Sequence, residues 1–271
     1  MPELPEVETT CRGIAPHIEN NTITKIIVRN RSLRWPIPTG LNKKLATQKI
    51  NSVTRRAKYV LINTDTGSLI IHLGMSGSLR ILSSDEAIDK HDHFEIQFKD
   101  GLCLRLRDPR RFGCVLWERN DPLEHKLLIN LGPEPLDKAF NAELLFEKSR
   151  KRKTTIKQFI MDAKVVVGVG NIYASESLFL SGINPKRLAG KITKKNAQDL
   201  SVAIKKILKQ AIKQGGTTLK DFRSSDGKPG YFQQKLKVYD RKGEPCVKCK
   251  KPIKCTTLGQ RSTFYCSTCQ K

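Results

Sequence analysis

No stretch of this sequence comes near the ~18 consecutive apolar residues that a membrane span needs, and no basic segment followed by an apolar one opens it. Neither a span nor an export signal is therefore expected, and the chain is expected to stay in the cytoplasm. Internal repeats and low-complexity tracts are missing too, which leaves ordinary globular domains. Acidic residues are scarce: 26 Asp and Glu stand against 50 Lys and Arg, a formal charge of +24. Between Lys186 and Lys213 nine basic residues face the single acid Asp199, and a second basic cluster, KSRKRK, runs from Lys148 to Lys153. A field of that sign draws polyanions, nucleic acid first among them. A generally basic proteome or a place on the ribosome would produce the same balance.

The chain has 271 residues, 38% of them hydrophobic, enough for two domains of ordinary size with proper cores. From Pro5 the positions Val7, Cys11, Ile14, Ala15 and Ile18 recur at helical spacing, so a helix starts almost at the terminus. Short β-like runs follow (TITKIIVRN, KINSVTRRAKYVLIN, SLIIHLGMSGSLRIL, HFEIQFKDGLCLRLRD, FGCVLW) and read as a sandwich or barrel-like domain to about Trp117. A Pro-rich hinge is expected around Gly132 to Leu136. Beyond it the period turns helical, through FNAELLFEKS, TIKQFIMDA and NIYASESLFLSGI. A last stripe of Leu200, Ile204, Ile207, Leu208, Ala211 and Ile212 ends at Gly215-Gly216. FRSSDGKPGYF is expected to be a mobile loop.

Two features carry chemistry. The opening, MPELPEVET, sets Glu3, Glu6 and Glu8 around Pro2, just ahead of a helix. Removal of Met1, expected when the next residue is small, leaves Pro2 with a secondary amine that can act as a nucleophile. The plainer reading is a terminus that merely permits that removal, with the acids as helix-dipole partners. The second feature is Cys246-x2-Cys249 followed after sixteen residues by Cys266-x2-Cys269. Two pairs of thiolates presented from tight turns form the tetrahedral sulfur set of a closed structural zinc site. Two disulfides would need an oxidising compartment that nothing here supports. Cys11, Cys103 and Cys114 read as ordinary buried thiols.

With the quartet placed, the whole chain resembles formamidopyrimidine-DNA glycosylase, the bacterial family that excises 8-oxoguanine and ring-opened purines and then cuts the strand. The matching stretches are PELPEVET, RRAKY, HLGMSGSLR, KHDH, DPRRFG, LGPEP, VGVGNIYASE, GGTTLKDF, DGKPGYF and GQRSTFYC. PELPE also separates it from the related endonuclease VIII, which usually has glycine in place of Leu4 and prefers oxidised pyrimidines. Cys11, where arginine is commoner, and Asp240, where glycine is, depart from the pattern.

The resemblance implies an α+β multidomain chain: an N-terminal β-sandwich with its terminal helix (residues 1–132), a helix-two-turn-helix domain with a lesion-capping loop (133–234), and a C-terminal zinc ribbon (235–271). It implies one structural zinc ion, double-stranded DNA containing oxidised bases as partner, a monomer, and work at the nucleoid. Pro2 becomes the nucleophile at the sugar C1′, with an α-amino pKa near ~8 that leaves a useful neutral fraction. Glu3 takes general acid/base work, Glu6 orients the terminus, and Glu8 reads as helix surface.

Lys58 is implied beside the scissile sugar phosphates; on sequence alone it is a strand cation like Arg55 and Arg56. Arg261 is implied at the second elimination, where a guanidinium that holds its proton to about pH 12 clamps phosphate rather than donating. Asn171 is implied as a phosphate ligand, or equally an N-cap. His91, Arg110, Arg152, Lys153 and Lys157 are implied DNA contacts. Met75 and Phe112 with Arg110 are implied to fill the hole left by an extruded base, or else to be core.

Overall fold

The computed structural model describes residues 2–216 and 236–271. These form two compact units, residues 2–129 with 214–216, and residues 130–213 with 236–271.

The first unit opens with α1 (Leu4–Ile18). Val7, Cys11, Ile14 and Ile18 lie three or four residues apart, so one face of the helix is apolar and buries into the core, while Arg12 and His17 face water. Two antiparallel four-stranded sheets follow. One has the order β1 (Ile23–Val28), β6 (Asp92–Phe98), β7 (Leu102–Arg107), β5 (Ser78–Ser83). The other has β2 (Ser52–Arg56), β3 (Tyr59–Thr64), β4 (Gly67–His72), β8 (Cys114–Glu118). Val60, Ile62, Leu69 and Ile71 of the second sheet meet Phe94, Ile96, Leu104 and Leu106 of the first, with the α1 stripe in the same cluster. This is the sandwich expected from the alternating runs. A short helix, α2 (Leu41–Leu45), was not legible in the sequence; it buries only Leu41 and Leu45 against the core.

One feature of the first sheet contradicts the usual polarity of a core. Arg105 on β7 is 1% exposed and donates to Glu95 at 2.7 Å and Asp92 at 3.4 Å, both on β6. Arg29 and Arg80 reach the same two carboxylates from the neighbouring strands. Arg105 also donates to the carbonyls of Glu86 and Ala87, which fastens the loop leading to His91.

In the second unit α3 (Ala142–Ser149), α4 (Ile156–Met161), α5 (Asn171–Leu180) and α6 (Lys194–Lys213) pack together. Asn141 and Thr155 cap α3 and α4 by accepting the N–H of Leu144 and Gln158. The α6 stripe is buried as its spacing predicts, except Ile212, which is half-buried. In the segment read as a hinge, Gly132 N–H donates to the Ala163 carbonyl and Val167 N–H to that of Pro133. A hairpin of β9 (Lys254–Leu258) and β10 (Arg261–Tyr265) completes the unit. Among the described residues no helix is long and apolar enough to cross a membrane.

Replacing Arg105 with leucine would leave two buried carboxylates short of a guanidinium, an arrangement that costs about 3 kcal/mol or more. Urea unfolding of the Arg105→Leu protein should show a loss of that order in the first unit; an unchanged midpoint would show the cluster to be neutral.

Candidate functional site

The candidate residues fall into one group in each unit. In the first, Glu3 is the N-cap of α1, with extended backbone. Its N–H donates to the Glu6 carboxylate at 2.8 Å, the reach-back bond of a capping box. Both carboxyls are 2% exposed and Pro2 is buried. Gly216, in the left-handed region at φ +79°, abuts this corner: a Cβ there would stand 3.2 Å from Glu6 Oε1. Glu6 thus fixes the direction in which the chain leaves the helix towards Pro2.

Lys58 lies in the two-residue turn joining β2 and β3, where a strand position was expected. Its neighbour Ala57 is forced to φ +53°, a left-handed conformation that costs a non-glycine residue about 1–2 kcal/mol. Arg55 Nη1 donates to the Ala57 carbonyl at 2.9 Å, and Arg55 Nε to Glu8 at 2.8 Å. Glu8 is accordingly not plain helix surface. Burial pushes its carboxyl up, but Arg55 and Arg12 outweigh that and hold its pKa below the ordinary value.

His72, opposite Tyr59 across β3 and β4, packs against it with ring centroids 4.9 Å apart and planes tilted by 56°. Burial, then the charges of Lys58 and Arg34, push its pKa down to about 4. It is neutral at pH 7, and because Nδ1 accepts the Gly74 N–H at 2.9 Å, the proton sits on Nε2.

Gly74 opens the turn that carries Met75. At φ +64° it touches the backbone of Phe112 and Gly113 so closely that a Cβ would fall within 2.4 Å. The Met75 turn and the Arg110–Phe112 loop are therefore joined. Met75 is half-buried, Phe112 is 47% exposed, and the Arg110 guanidinium lies 4.9 Å from the Phe112 ring centre. Asp108, buried beneath, accepts the Gly113 N–H at 2.8 Å, and its own N–H donates to the carbonyl of His91. Met75, His91, Arg110 and Phe112 thus hang from one hydrogen-bonded loop system.

In the second unit Lys157, implied above as a DNA contact, is buried: it is 1% exposed, and its ammonium donates to Asn171 Oδ1 at 2.5 Å, Ser262 O at 3.0 Å and Thr263 Oγ1 at 2.7 Å. An ammonium only donates, so it fixes the Asn171 amide with its oxygen inward. Asn171 Nδ2 then donates to Ser262 O, which leaves one amide hydrogen beside the first N–H groups of α5. Gly170 caps that helix, so Asn171 is its first residue rather than its N-cap.

Arg261 starts β10 and is exposed. It flanks an open depression of about 190 Å³ shared with Lys157, Gln158 and Gly259, with Asp162 on its rim. Arg152 and Lys153 are exposed in the loop after α3, whose backbone is held by Gly190 N–H on the Arg152 carbonyl. The FRSSDGKPGYF segment lies outside the described residues.

The four ribbon cysteines converge, with every Sγ within 4.8 Å of the others. The Cys246–Cys269 and Cys249–Cys266 separations are 3.9 and 3.4 Å, near the ~3.8 Å edge of a tetrahedron with zinc–sulfur bonds of ~2.3 Å. The N–H groups of Lys248 and Cys269 point at the sulfurs of Cys246 and Cys266, as thiolates require. Asp240, just before the ribbon, has φ +60°, which explains why glycine suits that position and why aspartate is tolerated.

Three family descriptions match in chain order. The formamidopyrimidine-DNA glycosylase N-terminal domain covers residues 1–115, the H2TH domain of the same glycosylase 131–223, and the zinc finger found in FPG and IleRS 243–271. The formamidopyrimidine-DNA glycosylase of Saccharophagus degradans is 56% identical over 271 residues, all of both chains. This chain belongs to the formamidopyrimidine-DNA glycosylase family.

The solved glycosylase of Thermus thermophilus superposes with a TM-score of 0.89 at 34% identity, over 99% of this chain and 98% of that one. The Lactococcus lactis glycosylase, crystallised with Fapy-dG DNA, gives 0.91 at 33% identity, over 99% and 100%. The same protein crystallised with abasic-site DNA gives 0.92 at 33%, over 99% of each chain. The zinc finger of this family, with Cys246, Cys249, Cys266 and Cys269 as ligands, holds one zinc ion and leaves it no open position.

Sequence reasoning missed His72 and Arg55. The signals were present, a histidine at the end of the strand facing Tyr59 and an arginine two residues before a turn, but neither means anything until the pairing register is known.

Two outcomes follow. His72 holds its proton less tightly folded (about 4) than unfolded (6.5), so the unfolded state binds the extra proton. Stability should therefore fall as pH drops from 6.5 towards 4, by up to about 3 kcal/mol, and a His72→Asn protein should lose less over that window. Equal acid sensitivity of both proteins would refute it. Stripping the zinc, or replacing Cys249 with serine, should disorder the β9–β10 hairpin and abolish DNA binding while the sandwich keeps its near-ultraviolet signal. Unchanged affinity would show the ribbon to be dispensable.

Proposed function

We propose that this chain is a bifunctional DNA glycosylase and abasic-site lyase that removes oxidised purines, 8-oxoguanine and formamidopyrimidines, from duplex DNA. The observation that carries the reading is the corner at the front of α1, where Pro2 and Glu3 are buried and Glu6 holds the exit of the chain. On removal of Met1, the Pro2 nitrogen becomes a secondary amine at a helix N-terminus, whose dipole disfavours its protonation.

The neutral amine attacks C1′ of the damaged nucleoside, the glycosidic bond breaks, and the amine's proton leaves with the base. Glu3 delivers a proton to the sugar ring oxygen as the bond from C1′ to that oxygen breaks, which leaves an iminium ion between Pro2 and C1′. The iminium acidifies the proton on C2′; its loss expels the 3′ phosphate, and a second elimination expels the 5′ phosphate. Lys58 stands beside the phosphates at the first step. Arg261 stabilises the leaving phosphate at the second by bidentate hydrogen bonds.

His91, Arg152, Lys153 and Asn171 bind backbone phosphates, Asn171 with the amide hydrogen that Lys157 leaves outward. Met75 and Phe112 occupy the space of the extruded nucleotide, and Arg110 hydrogen-bonds the orphaned cytosine. The charge of +24 supports association with DNA.

Borohydride reduction of the protein turning over an 8-oxoguanine duplex tests the reading. One covalent adduct is expected, and mass spectrometry of its peptides should place the sugar on Pro2. An adduct on any lysine, or none, would overturn it.

A further inference from the structure

The three glutamates of the opening segment divide the work, and the part of Glu8 goes beyond the scheme above. Glu8 follows Glu6 by two residues on α1, and its two oxygens are engaged at 2.8 Å by Arg55 Nε and Arg12 Nε. Arg55 is 11% exposed as a side chain and spends a second donor on the carbonyl of Ala57. That carbonyl belongs to the left-handed residue preceding Lys58, so Arg55 holds the conformation that the turn needs to present Lys58. The helix that ends in Pro2 thereby grips the turn that carries the second amine. Glu6 on the Glu3 N–H holds the N-terminal end of the helix itself, and Glu8 on Arg55 holds the turn.

We propose that the Glu8–Arg55 pair is a positioning device that sets Lys58 in register with the terminal amine, so that base release and strand cleavage are coupled through α1. The proposal rests on the nucleophile reading above. Two observations favour positioning over plain stabilisation. The charge on Glu8 survives partial burial because two guanidiniums hold it, and the Ala57 turn is strained where a relaxed turn would need no anchor.

The zinc-loaded, full-length protein should be followed in single turnover on a duplex with a preformed abasic site. The Arg55→Ala and Glu8→Gln proteins should cut the strand roughly tenfold more slowly, the scale expected for a misplaced catalytic group. Their affinity for the duplex should be unchanged, and the borohydride-trapped adduct should rise at early times because the iminium forms but is not drained. Ethylguanidinium should restore part of the Arg55→Ala rate. In a Lys58→Ala background, Arg55→Ala should add nothing, since both act through the same amine.

Additive losses, unchanged cleavage, or an equal loss of binding, trapping and cleavage together would overturn the proposal. Glu8→Gln, which keeps the shape of the pair, serves if Arg55→Ala fails to fold. Absence of any adduct with the unaltered protein would instead sink the nucleophile reading itself.

Discussion

The hydrogen bond from the Glu3 N–H to the Glu6 carboxylate holds the front of the first unit in place. A chain terminus ordinarily frays, because a few residues with no partners have too much conformational entropy to lose. Here the capping box makes the first turn of a helix run directly back to Pro2. The apolar stripe of α1 is sunk in the sandwich core, so the terminus inherits the rigidity of the core behind it. Under the proposed reading, the same helix supplies a dipole that favours a neutral amine at Pro2 and a buried carboxyl adjacent to it. A loop would supply neither.

The second unit solves a matching problem with opposite charge. Lys157 is enclosed among an amide, a hydroxyl and a carbonyl, an expensive place for an ammonium unless its donors are filled. What the fold gains is orientation. With the Asn171 oxygen turned inward, the amide and the first turn of α5 present donors only, the arrangement that suits a phosphate. The buried cation thus acts at one remove, through the group it orients.

Much of this was written in the sequence because it obeys short-range rules. The helical stripe after Pro5, the strand runs up to Trp117 and the Cys-x2-Cys pairs are patterns of period or spacing, and each folds as that pattern demands. The long-range geometry was not legible. Nothing in RRAKY distinguishes the lysine in the turn from the arginines in the strand until the β2–β3 register is fixed. Lys157 was implied as a DNA contact, and its burial beneath Ser262 and Thr263 of β10 was not legible without the hairpin in place. Glu8 looked solvated for the same reason, since its partner lies 47 residues away.

The zinc ribbon and the Asn171 amide are joined by a single strand. Thr263 and Ser262, which receive the Lys157 ammonium, lie three and four residues before the ligand Cys266 on β10. An oxidant that takes one thiolate from the metal would slacken that strand, withdraw two acceptors from the ammonium, and let the asparagine amide rotate. Oxidation of the cysteine cluster would then reach an amide one strand away from the metal site.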